Sequence, residues 1–182
     1  VIPTPSAPMP TPLQSLAQQT WSTFCETPQT LGPTDGVRQQ WHRGRPLYTV
    51  WVLRVRSSEV LNRWQQACET LGYFMVPQPQ HDLHITVWVA GFPCASPHHD
   101  DDVSEQTLSA HATRLRSLPG PIHLTIGGAN AFLSCAFLEV QDPHQHLARC
   151  RAHLESVGTP EIRFAPYLPH VTLGSFDRTQ ST

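Results

Sequence analysis

The stretch HDLHITVWVAGF, at residues 81–92, alternates polar and apolar side chains. Ile85 and Val87 alternate with His84 and Thr86, and this period of two predicts a β-strand with one face in the core. His84 and Thr86 then lie side by side on the opposite face of the strand. The pattern fits an active site and an ordinary half-buried strand equally well, so the rest of the sequence has to decide between them.

A later stretch, PHVTLGSF, repeats the pattern with His170 and Thr172. The surrounding elements also correspond, since YTVWVLRV, a helix and LHITVWVAGF match CAFLEVQD, a helix and PHVTLGSF. Thr49 precedes His84 by 35 residues, and Ala136 precedes His170 by 34 residues. We interpret this as an internal β-α-(β)-β repeat. It predicts an α+β fold with two lobes related by a pseudo-two-fold axis, in which two mainly antiparallel sheets form a central cleft and the helices lie outside.

The N-terminal segment differs in composition from the rest of the chain. Its first twelve residues contain five prolines, which disfavour helix and sheet alike. Apolar side chains from Leu13 to Phe24 then follow at helical spacing and predict a short helix that docks on the body. We therefore divide the chain into a Pro-rich tail with a possible short helix at 1–45 and a single bilobal domain at 46–182. Helices are predicted at 57–72, 103–118 and 143–158, and strands at 47–55, 83–90, 121–132, 134–141 and 169–176.

A cleft lined by both His–Thr pairs can break a phosphoester bond by acid–base catalysis. One neutral imidazole takes a proton from the attacking water or hydroxyl, and the other donates a proton as imidazolium to the leaving oxygen. The usual histidine pKa of about 6.5 populates both forms near neutral pH. The threonine hydroxyls can donate hydrogen bonds to the non-bridging phosphate oxygens. The pseudo-symmetry leaves open which histidine is the base and which is the acid.

A third tetrapeptide of the same type, HLTI, begins at His123. His84 and His170 each occupy the last strand of a repeat unit, whereas His123 precedes the second unit and has no counterpart. We therefore interpret His123 as a structural strand residue.

The paired tetrapeptides HITV and HVTL resemble the motifs of the two-histidine (2H) phosphoesterase superfamily, which includes 2′-5′ RNA ligase-like proteins and cyclic nucleotide phosphodiesterases. The resemblance covers residues 46–176 and extends to IHLTIGGANAF, which leads into the second half. It implies a bilobal fold and metal-independent action, without a cofactor, on 2′,3′-cyclic phosphates or on 2′-5′-linked or cyclic oligonucleotides. By position it implies His84 and His170 as catalytic residues and Thr86 and Thr172 as phosphate-binding residues.

Residues beside the motifs are candidates for substrate binding. Many members of the superfamily carry a basic residue soon after the second motif, where this chain has Gly-Ser-Phe at 174–176. Arg163 and Arg178 are the candidates to bind an anion in its place. Aromatic side chains near the motifs are candidates to stack a nucleobase, with coverage of the lobe junction as the alternative. These are Trp88, Tyr167 and Phe176.

Three other groups of residues have simpler explanations than a functional site. The segment WHRGR at 41–45 forms either a cationic and aromatic lip over the ligand or, as we favour, a solvated linker. The tract HHDDD at 98–102 has the composition of a metal site, but five consecutive polar residues in a loop cannot all converge on one ion. We therefore expect a solvated loop and no metal. No cysteine has the setting of a nucleophile, which disfavours a Cys–His mechanism.

The composition limits the class of protein. A net charge of −2 argues against a general nucleic-acid scaffold, and all 12 basic residues are arginine, which excludes a catalytic lysine. The five cysteines form no C-x-x-C pair, which is typical of free thiols in a reducing compartment. No apolar run approaches the ~20 residues of a membrane span. We expect a cytoplasmic protein whose partner is a nucleotide or short RNA substrate, without a membrane and without an obligate protein partner.

The alternative from another class is a binding module, which captures an RNA end or a cyclic nucleotide in the same cleft without cleaving it. Binding alone does not require two titratable groups, so the two intact motifs favour the enzyme. A metal-dependent phosphodiesterase that uses the HHDDD tract is a third hypothesis, and it predicts that a chelator abolishes activity.

Overall fold

The computed structural model describes residues 11–32, 35–118, 120–158, 160–162, 166–179 and 181, with their side chains except at 35–38. The described helices are α1 (Pro12–Glu26), α2 (Asp35–His42), α3 (Ser58–Leu71), α4 (Glu105–Arg116) and α5 (His146–Glu155). The described strands are β1 (Thr49–Arg54), β2 (Met75–Pro77), β3 (His84–Cys94), β4 (Asp102–Ser104), β5 (Thr125–Ala131), β6 (Cys135–Gln141) and β7 (His170–Phe176).

The seven described strands form one sheet, which is antiparallel except where β4 runs parallel to β3. The order is β1-β3-β7-β6-β5, with β2 also on β7 and β4 also on β3. Each motif strand lies beside the first strand of its own repeat unit, β3 beside β1 and β7 beside β6. The two halves join where Ile85 of β3 pairs with Val171 of β7. The predicted α+β class is therefore confirmed, and the two expected sheets are continuous through the motif strands.

The strand registers confirm the internal repeat and correct its alignment. In β1, Arg54 lies opposite His84, and in β6, Glu139 lies opposite His170. Arg54 and Glu139 are therefore equivalent positions. The alignment made from the sequence, which began the first unit at Thr49, was wrong by two residues. A shift of two keeps every side chain on its predicted face, because strand side chains alternate with a period of two.

The core lies between the sheet and helices α3, α4 and α5. Val60 of α3 and Leu154 of α5 are buried in one cluster with Val87, Val171 and Leu173 of the motif strands. Full burial of each such side chain is worth about 1.5–3 kcal/mol, and a one-residue slip of either strand would lose it. The apolar positions of HITV and HVTL therefore hold the polar positions on the opposite face.

Helices α4 and α5 begin where a side chain accepts hydrogen bonds from the N–H groups of the first turn. The Ser104 hydroxyl accepts from the Thr107 N–H at the start of α4 (3.1 Å). The Asp142 carboxylate accepts from the N–H groups of His146 and Leu147 at the start of α5 (2.7 and 2.8 Å). Such caps satisfy backbone donors that have no partner within the helix. The three helices predicted in the body are confirmed with shorter ends, and no described helix has the length and apolar character needed to cross a membrane.

Helix α1 confirms the helix expected in the N-terminal segment. The Thr11 hydroxyl accepts from the Gln14 N–H, the Gln14 side chain accepts from the Thr11 N–H, and Pro12 follows the cap. This reciprocal pair is a capping box, and proline suits the first helical position because it has no N–H to satisfy. Ala17 is buried against the body, so α1 is packed on the domain.

The segment before β1 is neither the lip nor the solvated linker considered above. The Arg45 guanidinium lies 3.6 Å above the ring of Phe92 and donates to Asp101 and Asp102 (2.7 and 2.5 Å). The Trp41 ring packs 5.0 Å from the same Phe92 ring. These contacts fasten the segment to the far end of β3.

The HHDDD tract belongs to the same ion-paired cluster. The backbone N–H groups of His98 and His99 donate to the Asp102 carboxylate, at 2.9 Å each. These bonds, together with Arg45, lower the pKa of Asp102 to about 2. The expectation of a solvated loop was therefore wrong for the last two aspartates. No group of three metal-ligating side chains occurs within the described ranges.

Candidate active site

The two motif strands place the His–Thr pairs on one face of the sheet. Because β3 and β7 run antiparallel with Ile85 opposite Val171, His84 falls opposite Thr172 and Thr86 falls opposite His170. Both histidines and both threonines are half-buried, whereas the apolar residues between them are at most 4% exposed. The four candidate residues therefore form a quartet at the junction of the two halves, in which the two histidines are diagonal to each other and so are the two threonines.

Each histidine is held by the carbonyl two residues before it. His84 Nδ1 lies 2.5 Å from the carbonyl oxygen of Asp82, and His170 Nδ1 lies 2.7 Å from that of Leu168. A carbonyl oxygen only accepts hydrogen bonds, so Nδ1 carries the proton in both rings. Nε2 is then the atom that accepts a proton in the neutral ring and donates one in the imidazolium. The same local geometry therefore prepares both rings for proton transfer through Nε2.

The environment of His170 differs from that of an exposed histidine. Its ring contacts the rings of Phe132 and Phe137, with centroids 5.1 Å away in each case. Burial lowers the pKa of His170 from its usual value, and the nearby His84 lowers it further, while the hydrogen bond to Leu168 opposes both effects. His170 is therefore biased toward the neutral imidazole, the form that accepts a proton.

Two charged residues, one opposite each histidine, were not predicted from the sequence. Arg54 of β1 lies opposite His84 on the same face, and its exposed guanidinium donates to the carbonyl of His81 (3.3 Å). Glu139 occupies the equivalent place opposite His170, but its carboxylate accepts from the side chain of Asn130 (2.7 Å). The available signal was the polar position of each residue in an apolar strand, which becomes informative only when the partner strand is known.

Two of the predicted stacking residues are wrong, because a β-bulge follows each motif. The β1–β3 register skips Val87, and the β6–β7 register skips Leu173. Trp88 consequently faces the core, where it is 3% exposed, and Phe176 packs against the same core. A bulge adds one residue to one strand and reverses the face of everything beyond it. The Trp88 ring therefore does not line the His–Thr face, and the Phe176 ring is already stacked on that of Phe24 in α1, with centroids 6.1 Å apart.

Tyr167 has a different role from the predicted stacking. Its hydroxyl donates to the Thr86 carbonyl (2.9 Å), and burial keeps its pKa well above the usual value. The Arg151 guanidinium lies 3.8 Å above the Tyr167 ring and donates to the Val87 carbonyl (2.7 Å). The two residues of the second half therefore bind the backbone of β3 at the first bulge. Glu161 orients this guanidinium through a two-point ion pair.

We expect Tyr167→Phe to lower the free energy of unfolding by about 1–2 kcal/mol, because the Thr86 carbonyl loses its donor in a half-buried position. Urea denaturation measures the difference. Tyr73→Phe is the matched control, since Tyr73 is 80% exposed, and it should stay within about 0.5 kcal/mol of the wild type. Equal stability of the two variants would contradict the structural role of Tyr167.

The remaining candidates lie apart from the quartet or outside the described residues. Arg163 is outside the described ranges. Arg178 donates to the Tyr73 carbonyl (3.4 Å) and lies beyond the end of β7. His123 is exposed before β5, with its ring 6.1 Å from that of His146 in α5. The prediction that His123 is a strand residue was therefore wrong, because β5 begins two residues later, at Thr125.

Three of the cysteines have thiols that are less reactive than an exposed thiol. Burial raises the pKa of Cys68 and Cys150, and it raises that of Cys135 to about 11. A thiol with a raised pKa is protonated near neutral pH and is a poor nucleophile. All five cysteines are free, and these three give no support to a Cys–His mechanism.

Comparison with known proteins agrees with this arrangement. The fold is similar to that of LigT from E. coli in its apo form, with a TM-score of 0.56 and 17% identity over 76% of each chain. It is also similar to a crystal structure described as a phosphoesterase, with a TM-score of 0.53 and 15% identity over 75% of this chain and 77% of the other. Among curated protein sequences, none matches this chain significantly. The family model of the 2′-5′ RNA ligase superfamily matches residues 41–182, which include both motif strands, and the chain belongs to that superfamily.

Proposed function

We propose that this protein is a metal-independent phosphodiesterase that acts on 2′,3′-cyclic phosphates or on 2′-5′-linked or cyclic oligonucleotides. One observation carries the proposal: two histidines, each fixed through Nδ1 on a carbonyl and each beside a threonine, meet on paired strands. Membership in the superfamily supports the same chemistry. The substrate is a nucleotide or a short RNA.

The difference between the two histidines assigns their roles. His170, whose pKa is lowered, takes a proton from water through Nε2 while the water oxygen attacks phosphorus. The bond from phosphorus to the ribose oxygen breaks, and His84 donates its Nε2 proton to that oxygen. Thr86 and Thr172 donate to the non-bridging oxygens, whose charge grows in the transition state. We expect Arg54, which lies opposite His84 on β1, to neutralise the phosphate.

The pH dependence of kcat/KM tests this assignment. If His170 is the base, it must be neutral, so its lowered pKa sets the acidic limb of the profile, and His84, which must be protonated as the acid, sets the alkaline limb. The acidic limb should then lie below pH 6.5, the usual histidine value. If His170 were the acid, the same lowered pKa would place the alkaline limb below pH 6.5, and the protein would lose activity toward pH 7.5. That second profile would reverse the assignment.

The direct test is incubation with 2′,3′-cyclic mononucleotides and short 2′-5′ oligonucleotides in the presence of EDTA. We expect a ribose phosphate monoester or a shortened oligonucleotide, detected by chromatography. Saturable binding without product would favour the binding module. Loss of product with EDTA and recovery with a divalent cation would favour a metal-dependent enzyme.

A further inference from the structure

We propose that helix α1 forms one wall of a subsite that holds the nucleobase next to the scissile phosphate. The inference rests on the proposed function and extends it to the part of the site that selects the substrate. It concerns a segment that precedes residue 41, where the match to the superfamily begins. Helix α1 therefore lies outside the range that the superfamily model matches.

Helix α1 lies on the same face of the sheet as the motif residues. Phe137 of β6 is opposite Thr172 of β7, and Asn130 of β5 is opposite Phe137, so these three side chains share one face. Ala17 of α1 packs against Phe137. The other helices that cover the sheet, α3, α4 and α5, pack against the core on the opposite face. Helix α1 thus covers the second half of the motif face.

A buried polar network fixes α1 in this place. The Asn130 side chain is 4% exposed, and its amide nitrogen donates to the Ala17 carbonyl (2.9 Å) and to Glu139 (2.7 Å). Its amide oxygen accepts from the Ala131 N–H (2.7 Å). A buried amide with satisfied partners is geometrically specific, because any shift of the helix would leave one of its two N–H groups without an acceptor. The position of α1 over the sheet is therefore defined by its contacts.

A pocket of about 280 Å³ lies between α1 and the segment that leads into β7. Thr20, Thr23 and Phe24 line it from α1, and Phe132 and Leu168 line it from the body. Both body residues touch His170, since the Phe132 ring lies 5.1 Å from the imidazole and the Leu168 carbonyl accepts from His170 Nδ1. A group bound in this pocket is therefore adjacent to one of the two candidate catalytic histidines.

The chemistry of the pocket suits a flat, uncharged ring. Its described walls carry no charged side chain, and two of them are phenylalanine rings, Phe24 and Phe132. Among the described lining residues no cation is present to bind a phosphate, whereas a base can stack on an aromatic ring and gain about 1–3 kcal/mol. Thr23, which is exposed at the edge, offers a hydroxyl to the polar rim of a base. The pocket has room for one base and not for an oligonucleotide, so it selects the nucleoside next to the reacting phosphate.

The test compares a substrate with a base and one without. The substrates are 2′,3′-cyclic AMP and methyl riboside 2′,3′-cyclic phosphate, in which a methyl group replaces the base. Thr23→Trp fills the pocket from its exposed edge, and Ser22→Trp is the matched control on an exposed neighbouring position of α1 that does not line the pocket. Thermal denaturation verifies that both variants are folded.

We expect Thr23→Trp to lower kcat/KM for 2′,3′-cyclic AMP about tenfold, as loss of one stacked base implies. The methyl riboside should change less than about twofold, and Ser22→Trp should leave both substrates unchanged. Unchanged turnover of cyclic AMP, an equal loss with both substrates, or a gain with both would overturn the subsite. A gain would instead identify α1 as a cover over His170.

Failure of the proposed function gives a different result from failure of the subsite. If the wild type turns over neither substrate, the proposed function is wrong. The subsite is then decided by calorimetric titration with 2′,3′-cyclic AMP. A tenfold weaker Kd in Thr23→Trp with an unchanged Kd in Ser22→Trp supports it, and equal affinities or no binding by the wild type overturns it.

Discussion

Replacing either His84 or His170 by alanine should lower kcat on a 2′,3′-cyclic nucleotide by about 10²–10⁴-fold, the usual contribution of one positioned acid or base. In each ring Nδ1 is bound to a carbonyl oxygen, so Nε2 is the atom that transfers the proton, and alanine removes it. Because both proton transfers belong to one reaction, the double variant should be only slightly slower than the slower single variant. Turnover measured in EDTA by product chromatography provides the comparison.

His123→Ala is the control for these variants, since His123 belongs to the third tetrapeptide and lies exposed before β5. It should retain the wild-type kcat and KM. Thermal denaturation should show that all the alanine variants are folded, so that lost activity reports on chemistry. Full activity in His84→Ala or His170→Ala would falsify the paired-histidine mechanism.

Gly174→Val should lower the free energy of unfolding by about 3 kcal/mol, at the upper end of the usual cost of overpacking. Any side chain at this position meets β2, because a Cβ would lie 2.5 Å from the Val76 carbonyl oxygen and 2.9 Å from the Pro77 Cα. Both contacts are to backbone, which cannot move aside without breaking the β2–β7 pairing. Urea denaturation with fitted m-values measures the loss.

Ser175→Val is the control for the glycine variant, since Ser175 is the next residue on β7 and is exposed. It should stay within about 0.5 kcal/mol of the wild type. A Gly174→Val variant as stable as Ser175→Val would show that β2 does not pack against β7 as described. The same contact leaves no room for an arginine side chain at position 174.

Much of the site was predictable because strand geometry is local. A period of two places His84 with Thr86 and His170 with Thr172 wherever the strands lie, provided that the apolar positions between them are buried. The internal repeat then indicated that the two strands occupy corresponding places. Its alignment was wrong by two residues, and the prediction of faces survived because two is the period of the strand.

The incorrect predictions for Trp88 and Phe176 have a common cause. Both follow a bulge, at Val87 and at Leu173, where one residue is added without any break in the apolar pattern. A bulge depends on the number of residues in the partner strand and on the group that donates a hydrogen bond to the carbonyl of the extra residue. At the first bulge the donor is Arg151, which belongs to the other half of the molecule and lies 64 residues away in sequence.

The sequence by itself determined the α+β class, the repeated unit and the shared face of each His–Thr pair. These features depend on the alternation of polar and apolar residues and on the order of the elements, which can be read from residues close together in the chain. Only the tertiary structure decided which residues join that face from other strands, namely Arg54 and Glu139, and that α1 covers part of it. It also decided the difference between the two histidines, since the rings that bury His170 come from β6 and from the turn before it. Contacts of this kind depend on the distance between elements in space, which no local pattern records.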